Sequence, residues 1–367
     1  MVDAAIARHG ARSAFDRVRS AAVAAGRPFD ARSQLTVVRD WRRTVPSAVP
    51  FFNASDAAAA LQRLRPEHSS LLPLSGKAHA RTVNCNESGT WSWFDSDVHG
   101  FNNRDASWES PEVILLGDSF VMGQCVPPGR ELASRLREQG LRVLSLGYAG
   151  NGPLTSFATF LEYAVPLRPS TVVWVFFDND LTDLEGELAR PQLSRYLTRG
   201  AVSLMSRSAE RDSLVSRLLA AVVDSGVVLY PPPSMGQKVR AILTLYHLRG
   251  LVRGVFNADK VPLETRRALV QMLLRARDET AGWGGQLRIV RLPAWETFKY
   301  GRSASPVAAV VEEEAGRLAI PYFDAASATA KPEPWSAFAQ GDLVPAHYSE
   351  AGYRRLAMAV ATWLRQR

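Results

Sequence analysis

The sequence predicts an α/β protein built on a parallel sheet that helices cover on both faces. Apolar runs at 113–116 and 172–177 show no polar alternation, which is the pattern of strands buried on both sides. Between such runs lie segments whose apolar residues recur at helical spacing, for example 131–139 and 154–164. Strands that alternate with helices along the chain form three-layer α/β/α folds.

Five strands and the helices between them can be placed from residue 112 onward. We expect strands at 112–117, 142–147, 171–177, 286–292 and 319–323, and helices at 131–139, 154–164, 263–281 and 349–365. About 100 residues separate the third and fourth strands, far more than one crossover helix needs. Further helices at 187–204, 213–223 and 239–248 therefore predict a helical insert over about 185–262.

Two regions are predicted along the chain. Residues 1–110 form an N-terminal extension, Ala/Arg-rich and helical to about residue 45, then turn-rich and aromatic. We expect this extension to pack on the core as strands and loops. Residues 111–367 form the α/β domain with its insert.

The amino-acid composition limits the classes of protein to which the chain can belong. With 46% hydrophobic and 22% charged residues, the chain can bury a core. No stretch reaches the ~18 to 20 uncharged apolar residues of a membrane span, and the N-terminus lacks the apolar stretch of a secretory signal. We expect no transmembrane segment, and a cytoplasmic protein unless a signal or anchor precedes Met1, in which case the periplasm is expected.

The positive charge is concentrated in one part of the chain. The net charge is +8, yet Leu188 to Tyr300 alone hold 18 Lys and Arg against 8 Asp and Glu. This excess predicts an anionic partner, with an acidic polysaccharide as one class; the alternative is a solvated arginine-rich surface. No nucleic-acid-binding motif accompanies the charge, so nucleic acid is not an expected partner.

The two cysteines are Cys85 and Cys125. No Cys/His spacing would hold a metal, so neither a metal nor a cofactor is expected. Cys125 lies six residues after Ser119, and Cys85 lies in a polar segment. A disulfide between them, formed in an oxidising compartment, and two unrelated free thiols both fit the sequence.

One serine stands where a nucleophile would be presented. Ser119 follows the first predicted strand in the turn Gly117-Asp118-Ser119-Phe120. Two further polar turns, at 147–153 and 177–180, each follow their own predicted strand, and His347 precedes the last helix. Since open α/β sheets bind ligands at the carboxyl edge of their strands, we expect these groups to converge there.

Together the three turns and His347 resemble the sequence blocks of the SGNH (GDSL-type) hydrolases. The resemblance implies a flavodoxin-like three-layer α/β/α fold. It implies that Ser119 is the nucleophile and His347 the general base. It also implies an oxyanion hole formed by the backbone N–H groups of Ser119 and Gly150 and the side-chain amide of Asn179. Residues 70–110 further resemble a segment found in bacterial members linked with polysaccharide biosynthesis.

The sequence departs from the pattern of that family at the acid. The Asp-x-x-His element would place an aspartate at position 344, which is Val344. We therefore expect Asp342 to orient His347, with Asp324 or a backbone carbonyl as alternatives. The other departures are Phe177 in place of a glycine and Ser145 in place of an asparagine.

These residues predict a serine esterase without a cofactor. We expect removal of a short acyl group, such as acetyl, from a carbohydrate or related small-molecule ester through an acyl-serine. An O-acetyltransferase that passes the acyl group to a polysaccharide hydroxyl uses the same first half-reaction. A carbohydrate-binding or scaffold protein that has lost catalysis is the alternative from another class.

Overall fold

A computed structural model describes residues 18–53, 72–198, 200–201, 204–223, 261–299, 306–330, 333–341, 343 and 345–366. The helix expected at 239–248 lies outside these residues. The strands are β1 (Ala48–Pro50), β2 (Arg81–Val83), β3 (Trp93–Asp95), β4 (Val113–Leu116), β5 (Val143–Ser145), β6 (Thr171–Phe176), β7 (Gln286–Arg291) and β8 (Tyr322–Asp324).

The α-helices are interspersed with these strands. They are α1 (Gln34–Trp41), α2 (Ser119–Met122), α3 (Leu132–Glu138), α4 (Pro153–Thr159), α5 (Asp180–Leu188), α6 (Pro191–Thr198), α7 (Ser208–Val223), α8 (Leu263–Gly282), α9 (Trp295–Lys299), α10 (Pro306–Arg317), α11 (Ala326–Ala330) and α12 (Glu350–Leu364). A π-helical turn at Phe160–Ala164 and a last turn at Val165–Leu167 continue α4. Residues 18–24 are helical, and 3₁₀ turns lie at Asp105–Trp108 and Pro334–Ala337.

The five strands from β4 to β8 form one parallel sheet in the order β5-β4-β6-β7-β8. This is the doubly wound order in which the chain leaves β4 on one side and returns on the other. The switch point lies between β4 and β6, so their carboxyl ends flank the crevice where such folds bind ligands. The predicted α/β/α fold is confirmed.

Successive side chains of β4 enter the two layers of the core. Ile114 and Leu116 pack into one hydrophobic cluster, while Val113 and Leu115 pack into the other. Leu269 of α8 belongs to the first cluster and Leu356 of α12 to the second, so helices cover both faces. Each fully buried side chain of this size contributes roughly 1.5–3 kcal/mol, which explains the run without polar residues.

The helix expected at 187–204 is instead two helices. α5 ends at Leu188 and α6 begins at Pro191. Arg190 precedes the proline, and the residue before a proline is disfavoured in helical conformation. Proline is well suited to the first turn of the next helix, where its missing N–H has no partner to lose.

The extension covers one edge and one face of the α/β domain. Its strands β1, β2 and β3 form a separate small sheet, and Phe94 and Phe101 belong to the same cluster as Ile114. The amide of Asn103 donates to the carbonyl of Ser145 at 2.8 Å and accepts from its N–H at 2.9 Å. Asn103 thus occupies the N–H and carbonyl that Ser145 of edge strand β5 would otherwise present to solvent.

Several arginines of the basic part of the chain are neutralised within the fold. Arg211 is fully buried and pairs with Asp212 at 3.1 Å, while Arg291 is 1% exposed and pairs with Asp178 at 2.8 Å. These side chains serve packing and ion pairing, so the positive count overstates the charge at the surface. An anionic partner remains a prediction. In the described part of the chain, no helix has the length and apolarity to cross a membrane.

Candidate active site

Ser119 lies at the carboxyl edge of the sheet as the first residue of α2, directly after β4. The Asp118 carboxylate caps this helix by accepting a hydrogen bond from the Phe120 N–H at 2.9 Å. As the first helical residue, Ser119 has a backbone N–H without a partner inside the helix. The local sequence therefore presents both a hydroxyl and an N–H at one point.

Two glycines allow α2 to lie close to the sheet. A Cβ at Gly117 would come within 2.6 Å of a Val121 methyl, and one at Gly147 within 2.4 Å of the same side chain. Real Cβ atoms do not approach other atoms so closely. Gly117 and Gly147 thus allow α2, which carries Ser119, to lie close to β4 and β5.

His347 reaches Ser119 from the loop before α12. Its Nε2 lies 3.0 Å from the Ser119 Oγ, so the predicted contact between these residues is present. The imidazole also packs beside the ring of Phe120, with centroids 4.9 Å apart. Phe120 in turn stacks on Phe177, the residue that stands in place of the family glycine, at 4.0 Å. This aromatic pair flanks the histidine.

The carboxylate that holds His347 comes from the extension. Glu87 Oε1 lies 2.9 Å from the histidine Nδ1, and Glu87 Oε2 accepts the backbone N–H of His347 at 2.7 Å. The expectation that Asp342 or a non-carboxylate acceptor meets Nδ1 is therefore corrected. Asp342 itself lies outside the described residues. Asp324, the other candidate, is directed to Arg291 at 3.5 Å.

The two partners shift each other's titration. Burial alone would raise the pKa of Glu87, but the charge of His347 and its hydrogen bonds outweigh burial and lower that pKa. Burial alone would lower the pKa of His347, but the charge and hydrogen bond of Glu87, together with the charge of Asp118, raise it. The site favours an ionised Glu87 beside a histidine that readily accepts a proton.

A disulfide joins the segment of Glu87 to the loop of Ser119. Cys85 and Cys125 are bonded, with their Cα atoms 5.0 Å apart. Of the two possibilities left open by the sequence, the structure contains the bonded one. In the described residues, three potential metal ligands come together at Cys85, Glu87 and Cys125, and the disulfide already engages both sulfurs.

The residues expected in the oxyanion hole lie on the loops that follow β5 and β6. Gly150 has a left-handed backbone, with φ +80°, and a Cβ there would come within 2.9 Å of the Asn53 Cβ. Asn179 is the residue before α5, and its side-chain amide donates a hydrogen bond to the Asp183 carboxyl group. When Asp183 is ionised its carboxylate only accepts hydrogen bonds, so the amide nitrogen of Asn179 then faces it.

The same helix also holds the loop of Gly150. Glu187 accepts the backbone N–H of Gly152 at 2.9 Å and that of Leu154 at 2.8 Å. These contacts cap α4 with a carboxylate, where a helix N-terminus favours negative charge. Through α5, the positions of Asn179 and the 147–153 loop are coupled.

Three carboxyl groups near the serine hold their protons more tightly than usual. Burial raises the pKa of Asp118 to about 6. Burial, then the charge of Glu187, raises the pKa of Asp183 to about 7. Burial, then the charge of Asp118, raises the pKa of Asp180 well above its usual value.

Sequence reasoning missed Glu87. No spacing signal marks it, because it lies 260 residues from His347 and in another part of the fold. The one available hint was Cys85, two residues away, as a possible partner of Cys125. A bond between those cysteines would have brought the only nearby carboxylate of that segment, Glu87, to the loop of Ser119.

Comparisons with known proteins give matches among solved structures. No protein-family model matches the chain, and no curated protein matches it. The lipase/acylhydrolase from Enterococcus faecalis is 14% identical with a TM-score of 0.37, over 69% of this chain and 94% of that protein. A catalytic mutant of an acetylxylan esterase from Geobacillus stearothermophilus is 14% identical with a TM-score of 0.37, over 70% and 97%. The chain is thus similar to these two solved structures at low sequence identity.

Proposed function

We propose that this chain is a serine hydrolase of the SGNH (GDSL) type that cleaves an ester through an acyl-serine intermediate. One observation carries the proposal: a continuous hydrogen-bonded chain runs from Ser119 Oγ to His347 Nε2 at 3.0 Å and from His347 Nδ1 to Glu87 at 2.9 Å. A nucleophile, a base and an acid in this order form the arrangement that activates serine in unrelated folds.

Each group has a defined task in the first half-reaction. His347 Nε2 accepts the Ser119 proton while Oγ forms a bond to the ester carbonyl carbon. Glu87 stabilises the imidazolium and keeps the remaining proton on Nδ1. The tetrahedral intermediate then expels the alcohol, whose oxygen takes the proton back from Nε2, and the acyl group stays on Ser119. Water repeats the sequence and releases the acid.

The developing oxyanion needs donors aimed at it. We assign this role to the backbone N–H groups of Ser119 and Gly150 and to the Asn179 amide. The first has no partner within α2, and the left-handed backbone of Gly150 permits a close approach. Asn179 retains a second N–H besides the one donated to Asp183. One such donor is worth about 10²–10³ in turnover.

The acyl group is proposed to be short, such as acetyl, and the alcohol to be a carbohydrate or related small molecule, as the sequence resemblance implies. The ionic contact of Glu87 with His347 supports an enzyme over a scaffold that has lost catalysis. That alternative depended on the missing acid at Val344, and Glu87 offers the same chemical group from another segment.

A fluorophosphonate probe tests the proposal. Ser119 Oγ should attack phosphorus and displace fluoride, leaving a stable phosphonyl-serine that mass spectrometry locates. The wild-type protein should be labelled and Ser119→Ala should not. Labelling that survives in Ser119→Ala, or no labelling of folded wild type, refutes the assignment.

The fate of the acyl group separates an esterase from an O-acetyltransferase. With an acetyl ester donor, an esterase releases free acetate at the same rate whether or not a polysaccharide acceptor is present. A transferase would divert the label from acetate to the acceptor as its concentration rises. Equal acetate release at all acceptor concentrations supports hydrolysis, and loss of acetate in favour of acylated acceptor supports transfer.

A further inference from the structure

Each cysteine of the disulfide lies close in sequence to a residue that the proposed mechanism uses. Cys85 lies two residues before Glu87, and Cys125 lies six residues after Ser119. The bond therefore connects the segment of the acid directly to the loop of the nucleophile. The segment otherwise belongs to the extension, whose strand β2 pairs with β1 and β3 and not with the parallel sheet.

The turn around Cys85 is hydrogen-bonded within the extension, whereas Glu87 is hydrogen-bonded to the α/β domain. Ser92 donates its N–H to the Cys85 carbonyl at 2.8 Å, and Asn86 donates to the Asp30 carbonyl at 2.7 Å, so the turn is held within the extension. Glu87 faces the α/β domain instead, where His347 donates to its carboxylate and Gln340 to its carbonyl. The carboxylate is correctly placed only while the extension stays against this edge of the sheet.

The sulfur of Cys125 lies next to the same imidazole. Its distance to His347 Nδ1 is 3.6 Å, on the side where Glu87 binds. Within the disulfide this sulfur cannot donate a hydrogen bond.

We propose that the Cys85–Cys125 disulfide positions Glu87 against His347, so that the enzyme reaches full activity only with the bond formed. The inference rests on the proposed hydrolase function. A dithiol such as dithiothreitol passes two electrons and two protons to the bond, which becomes two thiols while the reagent closes to a cyclic disulfide. Cys85 is partly exposed, which gives a small reagent access to the bond.

Reduction of the disulfide should affect the position of Glu87 more than that of the other residues of the site. Without the covalent link, the segment that carries Glu87 gains conformational freedom, and the fraction of molecules with a carboxylate on Nδ1 falls. Ser119 and His347 both lie on the α/β domain, so the contact between Ser119 Oγ and His347 Nε2 does not depend on the disulfide. Turnover should therefore decrease while substrate binding changes little.

The test measures hydrolysis of p-nitrophenyl acetate by oxidised and dithiothreitol-reduced protein in two backgrounds, wild type and Glu87→Gln. In wild type, reduction should lower kcat about 10- to 10²-fold, with KM within about twofold, part of the ~10⁴ that loss of a triad acid costs. Reduction should also move the acid limb of the kcat/KM profile to lower pH. In Glu87→Gln, reduction should change kcat less than about twofold, because the group that the disulfide positions is already absent.

Three results are decisive. An equal fall of kcat in both backgrounds would mean that reduction only loosens the fold, and it would overturn the inference. So would a wild type indifferent to reduction while its Ser119 still reacts with fluorophosphonate; that result leaves the proposed hydrolase intact. Failure of the oxidised protein to react at Ser119 overturns both.

A double Cys85→Ser, Cys125→Ser variant repeats the test without a reductant. It should match the reduced wild type in kcat and in its pH profile. Near-ultraviolet circular dichroism of the same samples reports whether tertiary packing is kept. A variant with native packing and full kcat would contradict the inference.

Discussion

Replacement of Glu87 by glutamine removes one charge at the site and little else. Glutamine has the shape of glutamate, and its carbonyl can still accept the His347 backbone N–H, now at 2.7 Å from Glu87 Oε2. Its NH₂ group would then face Nδ1 and make that nitrogen an acceptor. The proton would move to Nε2, the atom 3.0 Å from Ser119 Oγ, which could no longer take the serine proton.

The structure sets the size of this effect. Unit charges about 4 Å apart interact by about 4 kcal/mol at an effective dielectric of 20, which corresponds to a rate factor of about 10³. Both side chains are about one-fifth exposed, 20% for His347 and 22% for Glu87, so solvent weakens this attraction. A change of a triad acid to its amide, with the wrong tautomer included, costs about 10⁴ in all and sets the upper limit. We expect kcat to fall about 10²- to 10⁴-fold.

The pH profile provides a second readout with a definite sign. Only the neutral histidine is a base, so kcat/KM falls as pH drops through the pKa of His347. Glu87 raises this pKa, whereas burial alone lowers it. Without the charge, the acid limb should therefore move to lower pH at a reduced plateau.

Steady-state hydrolysis of p-nitrophenyl acetate between pH 4 and 9 measures both effects. Glu109→Gln is the matched control, since Glu109 lies in the same extension but is exposed, and it should leave rate and profile unchanged. A Glu87→Gln enzyme with more than about a tenth of wild-type kcat and an unshifted acid limb would refute the role of Glu87 as the acid.

Further variants probe the oxyanion loops and the carboxyl groups. Gly150→Ala should lower kcat more than Gly129→Ala, because both glycines have φ near +80° but only the first is crowded, and parallel assays with thermal melts separate strain from catalysis. Asn179→Ala should lower kcat about 10²–10³ with little change in KM; an unchanged kcat excludes its amide as a donor. For Asp183, a pKa raised to about 7 means that the folded state holds the proton more tightly, so its contribution to stability is full below about pH 4 and is lost as pH rises to about 7. Asp183→Asn should therefore flatten the fall in urea-unfolding free energy between about pH 4 and 7, whereas the exposed control Asp278→Asn should not.

The positions of the strands and of three site segments follow from local sequence. Val113 to Leu116 could be predicted as a strand from its unbroken apolar run. All four side chains are buried between two helix layers, which is the physical reason for that run. Ser119, Gly150 and Asn179 could be assigned to one edge because the carboxyl ends of parallel strands share an edge. His347 could be singled out because it precedes a well-marked helix whose N-cap is Ser349.

The tertiary structure alone shows which carboxylate contacts His347 and that the extension supplies it. Glu87 meets His347 across 260 residues of chain, a contact created by the packing of the extension on the sheet edge and without a local sequence pattern. The pairing of Cys85 with Cys125 depends likewise on a Cα separation of 5.0 Å that no spacing along the chain reveals. Strand, helix and turn preferences act over a few residues, whereas ion pairs and disulfides form wherever the folded chain brings their atoms together. The sequence by itself thus determined the α/β/α fold and a serine at its carboxyl edge, and folding determined which carboxylate contacts the histidine beside that serine.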